Sequence, residues 1–105
     1  MKNDSFKDYV LDQLHELGDL NCRPMFGGHG LRAGNAFFGI ILQGRLYFKT
    51  TPAARPDFES RGMKPFRASA RQTLRSYYEV PADIVEEPRA LVAWARRSLG
   101  GTDAS

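Results

Sequence analysis

Cys22 and His29 stand seven residues apart. A thiol and an imidazole so placed could serve as nucleophile and general base. No elbow or orienting motif frames them, and a lone cysteine near a strand start ordinarily packs as a small apolar side chain. Gly27-Gly28-His29-Gly30 invites comparison with a phosphate loop. No Gly-Lys-Ser/Thr follows it, and it lies between strands instead of opening a helix. Glycine there reads as backbone freedom at a bend. His15 and His29 lack a third ligand nearby in the chain, so no metal site is expected. Carboxylates gather on the terminal helices, where solvation accounts for them. The chain is read as having no catalytic residues, no cofactor and no metal, and as not being an enzyme.

A denser constellation sits on the strands. In Arg45-Leu46-Tyr47-Phe48-Lys49, the two-residue period sets Arg45, Tyr47 and Lys49 on one face, with Leu46 and Phe48 on the other. In residues 73–80, Arg75, Tyr77 and Glu79 oppose Leu74, Tyr78 and Val80. With the apolar sets turned toward helices, the other face displays Arg, Lys and Tyr together. Such a face suits a protein partner, for which Tyr and Arg are favoured anchors. It also suits nucleic acid, with rings to stack bases and cations to pair phosphates. It equally describes a solvated face with Arg–Tyr packing across strands. Arg45, Tyr47, Lys49, Arg75 and Tyr77 are the candidate interaction surface, and the residues alone leave the three readings open.

The elements that hold this surface follow from pattern. Residues 4–17 read as a helix, with Phe6, Tyr9, Val10, Leu14 and Leu17 on one face and Gly18 as its stop. Three strands follow, near 22–32, 36–42 and 45–50, with hairpin turns at Ala33-Gly34-Asn35 and Gln43-Gly44. Residues 27–30 interrupt the first strand as a bulge or sharp bend. Thr51-Pro52 opens a second helix anchored by Phe58 and ended by Gly62. Strands near 64–69 and 73–80 come next, joined by Ser69-Ala70-Arg71-Gln72. Asp83 is expected to cap a short turn before a last helix at 88–99. That helix has an apolar stripe of Leu91, Val92, Ala95 and Leu99, and Gly100-Gly101 terminates it. The pattern predicts an α+β domain: a mostly antiparallel five-stranded sheet with helices on one face. One domain spans residues 1–99, and 100–105 read as a flexible tail.

Composition agrees. In 105 residues, 42% hydrophobic content and 11% aromatics supply one core and exclude a disordered chain. The longest apolar run, 36–42, is far short of the roughly 20 residues that span a bilayer. No apolar signal follows Met1, and a single cysteine excludes an internal disulfide, so a cytoplasmic location is expected. Residues 20–78 hold ten Lys or Arg against Asp57 and Glu59, whereas both ends are acidic. A basic centre draws a polyanion or an acidic protein, unless the acidic ends neutralise it.

Arg23-Pro24-Met25-Phe26-Gly27-Gly28-His29-Gly30-Leu31 resembles the R-x-M-F-G-G-x-G-L signature of the TfoX N-terminal domain family, the competence regulators also called Sxy. Gly44-Arg45-Leu46-Tyr47-Phe48-Lys49-Thr50 is similar to that family's second block. Phe58, Gly62, Pro65-Phe66, Ser76-Tyr77-Tyr78-Glu79-Val80-Pro81 and Trp94-Ala95 match the remainder, so the resemblance covers about residues 5–99. Residues 66–70 depart from the family pattern, which tends to have a Tyr there. The resemblance implies a two-layer, secretion-chaperone-like α-β(3)-α-β(2)-α sandwich. It casts Arg23, Met25, Phe26, Gly27, Gly28, Gly30, Tyr78 and Pro81 as structural signature residues. It also implies a part in regulating competence genes, in concert with a catabolite-responsive activator, and brings no catalytic residue or cofactor. Those regulators carry a second, helical domain, and this chain ends at Ser105. The expectation is a non-enzymatic domain working through a protein partner. Direct nucleic-acid binding or a small uncharacterised enzyme are the alternatives. A homodimer through sheet faces or edges is a further expectation, and no membrane partner is expected.

Overall fold

A computed structural model describes residues 2–25, 27–67 and 73–99, and the side chains of these except at 2–4, 67 and 73–75. Phe26, the joining segment 69–72 and the tail at 100–105 lie outside the described residues, as does the side chain of Arg75. The chain opens with helix α1 (Lys2–Gln13) and a 3-10 turn (His15–Leu17). Gly18, at φ 78°, and Asp19, at φ 47°, reverse the backbone into the first strand. Four strands follow: β1 (Leu20–Met25), β2 (Gly28–Ala33), β3 (Ala36–Leu42) and β4 (Arg45–Lys49). Helix α2 (Arg55–Glu59), strands β5 (Pro65–Arg67) and β6 (Thr73–Glu79), then α3 (Ala82–Val85) and α4 (Pro88–Ser98) complete the chain.

The sheet is antiparallel and six-stranded, in the order β1-β2-β3-β4-β6-β5. The α+β class and the helix-backed antiparallel sheet match the sequence reading, but the strand count does not. Residues 20–25 and 28–33 form two strands, with Met25 paired to Gly28 where the chain turns back. Gly27 supplies that turn at φ 82°, a conformation open to glycine at little cost. The glycine run therefore reverses the chain where a bulge or bend was expected. The bulge lies elsewhere. Leu31 pairs with Gly39 and Arg32 with Phe37, leaving Phe38 as the extra residue of β3. Phe38 and Gly39 consequently both face the helices, and Phe37 and Ile40 both face away.

The helix side holds the main core. Val10 and Leu14, then Phe58, Ile84, Leu91 and Ala95, meet Leu31, Phe38, Ile41, Leu46, Phe48 and Tyr78 from the sheet. Truncating a buried ring such as Phe48 to Ala in such a core costs about 3–5 kcal/mol. Thr51 caps the entry to α2, its Oγ1 accepting from the Ala54 amide at 3.1 Å, although regular helix begins only at Arg55. Asp83 does not cap α3. Pro81 holds the N-cap position, and the Asp83 carboxylate pairs with Arg61 at 2.9 Å.

Candidate interaction face

Every described helix sends its buried residues into the one core just described, so the opposite side of the sheet is helix-free among the described residues. That side carries a second, smaller cluster built from strands alone: Ile40, Phe66 and Tyr77, flanked by Phe37, Leu42 and Tyr47. The Tyr47 and Phe66 rings meet edge-on at 4.8 Å, and Phe37 lies 5.6 Å from Tyr77. Alternation put Arg45, Tyr47, Lys49 and Tyr77 on this side, and there they are. Arg75 lies in β6, where the register against β5 shifts between Leu74 and Tyr78, so alternation from Tyr77 does not fix its face.

The phenols are not displayed as the pattern suggested. Tyr77 is only 8% exposed and Tyr47 is half-buried. Burial is the main reason that both hydroxyls ionise above the ordinary phenol range, with the Glu79 carboxylate adding to the effect at Tyr47. What reaches solvent is cationic. Arg23, Arg32, Arg45 and Lys49 are exposed. Arg45 pairs with Glu79 at 3.1 Å. Arg23, Arg32 and Lys49 have no hydrogen-bond or ion-pair partner among the described residues.

Arg23 and Arg32 were singled out only as a signature residue and as part of the basic centre. The structure joins them around a groove of about 330 Å³ lined by Arg23, Pro24, Met25, Gly30, Arg32 and Phe37. Met25 and Phe37 close over Gly30 at its base. A Cβ there would stand 2.7 Å from Met25 Sδ and 2.8 Å from the Phe37 ring. Alternation in β1 and β2 would have revealed the groove had the reversal been placed at 26–27.

The alternative chemistry fares differently. Cys22 pairs with Leu31 and His29 with Pro24, so thiol and imidazole point to the helix side from adjacent strands. No hydrogen bond joins them. Burial pushes the Cys22 thiol up, with Asp8 adding to and Lys7 opposing that shift, which works against a thiolate nucleophile. Among the described residues, no three His, Cys, Asp or Glu side chains converge as metal ligands. No described helix is long and apolar enough to cross a membrane.

Comparison with known proteins bears on this arrangement. The chain is 29% identical over 86 residues to the DNA transformation protein TfoX1 of Aliivibrio fischeri (strain ATCC 700601 / ES114), across 80% of this chain and 41% of that protein. It thus spans about two fifths of that relative's length. The model of the TfoX N-terminal domain matches residues 12–101. That match takes in the paired strands, the groove and the closing helix, and the chain belongs to the TfoX N-terminal domain family.

Proposed function

We propose that this chain is a non-enzymatic interaction domain that binds a protein partner through the helix-free face of its sheet, in the service of DNA transformation. The observation that carries the reading is the set of unpaired, exposed cations, Arg23, Arg32 and Lys49, ringing an apolar cluster on that face. Exposed cations beside buried apolar anchors are the composition of a binding patch with a polar rim. The name of the TfoX1 relative supports the transformation context. Nucleic acid is the weaker reading, because the rings a base would stack on are already packed against one another.

Site-specific photo-cross-linking tests this in cells. A photoreactive residue at Lys49 should capture protein, and one at the exposed Arg89 of α4 should not. An adduct destroyed by nuclease, or one formed equally from both positions, overturns the reading. Loss of the gene should also lower transformation frequency in its host.

A further inference from the structure

The groove on the helix-free face has its own chemistry. The apolar side chains lining it are Met25 and Phe37, with Pro24, which pairs with His29, at its rim. Its volume of about 330 Å³ is at the small end of ligand-sized pockets, suited to one or two side chains. Met25 is unbranched and half-buried, the kind of wall that adapts to varied apolar shapes. Arg23 pairs with Gly30 across the hairpin, and Arg32 lies two residues further along β2. The two side chains therefore stand on one face as diagonal neighbours, about 7–8 Å apart. Both are exposed, and neither is paired among the described residues. No carboxylate lines the groove, and Glu79 on the same face is held by Arg45.

We infer that this groove receives an acidic peptide segment of the partner: an apolar side chain packs onto Met25 and Phe37, and flanking carboxylates pair with Arg23 and Arg32. The inference rests on the reading of this face as a protein-binding surface and names the partner's chemistry. Guanidinium forks match carboxylates in two parallel hydrogen bonds, which fixes the segment's direction as well as its place. An anchor in a pocket with charged flanks also gives specificity, because a segment lacking either part leaves the groove empty or the arginines unmatched. A nucleic acid would satisfy the arginines but not the apolar surface, which is a thioether and the edge of a half-buried phenyl.

The test uses the whole 105-residue chain and a fluorescently labelled peptide, Glu-Asp-Leu-Phe-Glu-Asp, read by anisotropy. Saturable binding is expected. Arg23→Glu and Arg32→Glu should each weaken it by about tenfold, with unchanged circular dichroism. Arg89→Glu makes the same charge change on the helix side and should leave binding intact. A peptide with Ser-Ser in place of Leu-Phe should bind at least as weakly as the Arg23→Glu and Arg32→Glu chains bind the parent. Oligothymidylate should not displace the labelled peptide. Absence of saturable binding, an equal loss from Arg89→Glu, full binding of the Ser-Ser peptide, or displacement by oligothymidylate each overturns the inference. If the peptide fails while Lys49 still cross-links protein, only the acidic-segment inference falls. If that cross-link also fails, the reading of the face falls with it.

Discussion

Gly28 and Gly30 sit two residues apart on the same face of β2, yet a methyl group added at each meets different resistance. At Gly28 a Cβ would lie 2.0 Å from the Ile41 carbonyl oxygen, which belongs to backbone held in the sheet. At Gly30 the obstacles are the Met25 thioether and the rim of the Phe37 ring, side-chain atoms that yield by rotation. Gly28→Ala should therefore cost about 2–3 kcal/mol or more, from overpacking that only a backbone shift relieves. Gly30→Ala should cost less and should narrow the groove. Urea unfolding of the two variants checks the order, and equal midpoints would contradict it. The sequence showed that these glycines mattered to backbone shape, but it did not distinguish a clash with backbone from one with a side chain. That distinction depends on what the neighbouring strand brings opposite each position.

Among the elements, both edges of the sheet carry a proline: Pro24 in β1 and Pro65 in β5. The Gly34 amide donates to the Asp19 carbonyl at 2.9 Å. Alternation from that bond turns the backbone of Leu20, Cys22 and Pro24 outward, away from β2. Proline at an outward position costs the ladder nothing and removes a donor from the exposed edge, a recognised device against edge-to-edge pairing. Pro24→Thr should increase self-association, seen as a concentration-dependent rise in sedimentation coefficient, while Lys49→Thr should not. Elements with clean periodicity were legible in advance. In β4, Leu46 and Phe48 are buried while Arg45 and Lys49 are exposed and Tyr47 is half-buried, as alternation required, and α4 buries Leu91, Val92 and Ala95 of its stripe. The apolar run of β3 was not divisible into faces, because the bulge at Phe38 breaks the period. For the same reason the cluster around Ile40 was invisible, and Tyr77 looked more open than it is.

For the molecule as a whole, titration sets limits on stability from both sides. The hydrogen bond from Arg61 holds the Asp83 carboxyl below the usual carboxylate range. Its contribution is complete above about pH 4, the value for an unfolded Asp, and is lost as pH falls through the lower folded value. The phenols work in the opposite sense. Tyr47, Tyr77 and Tyr78 are all raised, chiefly by burial, and Tyr78 also by the hydrogen bond it donates to Glu59. Their contribution is complete below about pH 10 and is lost as pH rises through the folded values. Urea midpoints measured against pH should show a plateau with two falling limbs. Asp83→Asn should flatten the acid limb, and Tyr77→Phe should soften the alkaline one. A midpoint that keeps rising past pH 11 would contradict the assignment of the phenols.

Arg61 also links α2 to the far end of the chain. Its guanidinium pairs with Asp83 and sits 5.7 Å above the Trp94 ring, which meets Phe58 edge-on at 4.7 Å. Arg97 ties Asp57 of the same short helix to α4. Trp94 is the sole indole in the chain, so its fluorescence reports on the seating of α2 together with that of α4 on the core. Detachment of that helix would wet the ring and shift its emission to the red, giving the protein a built-in, label-free optical gauge of the joint between its β4–β5 connection and its closing helix.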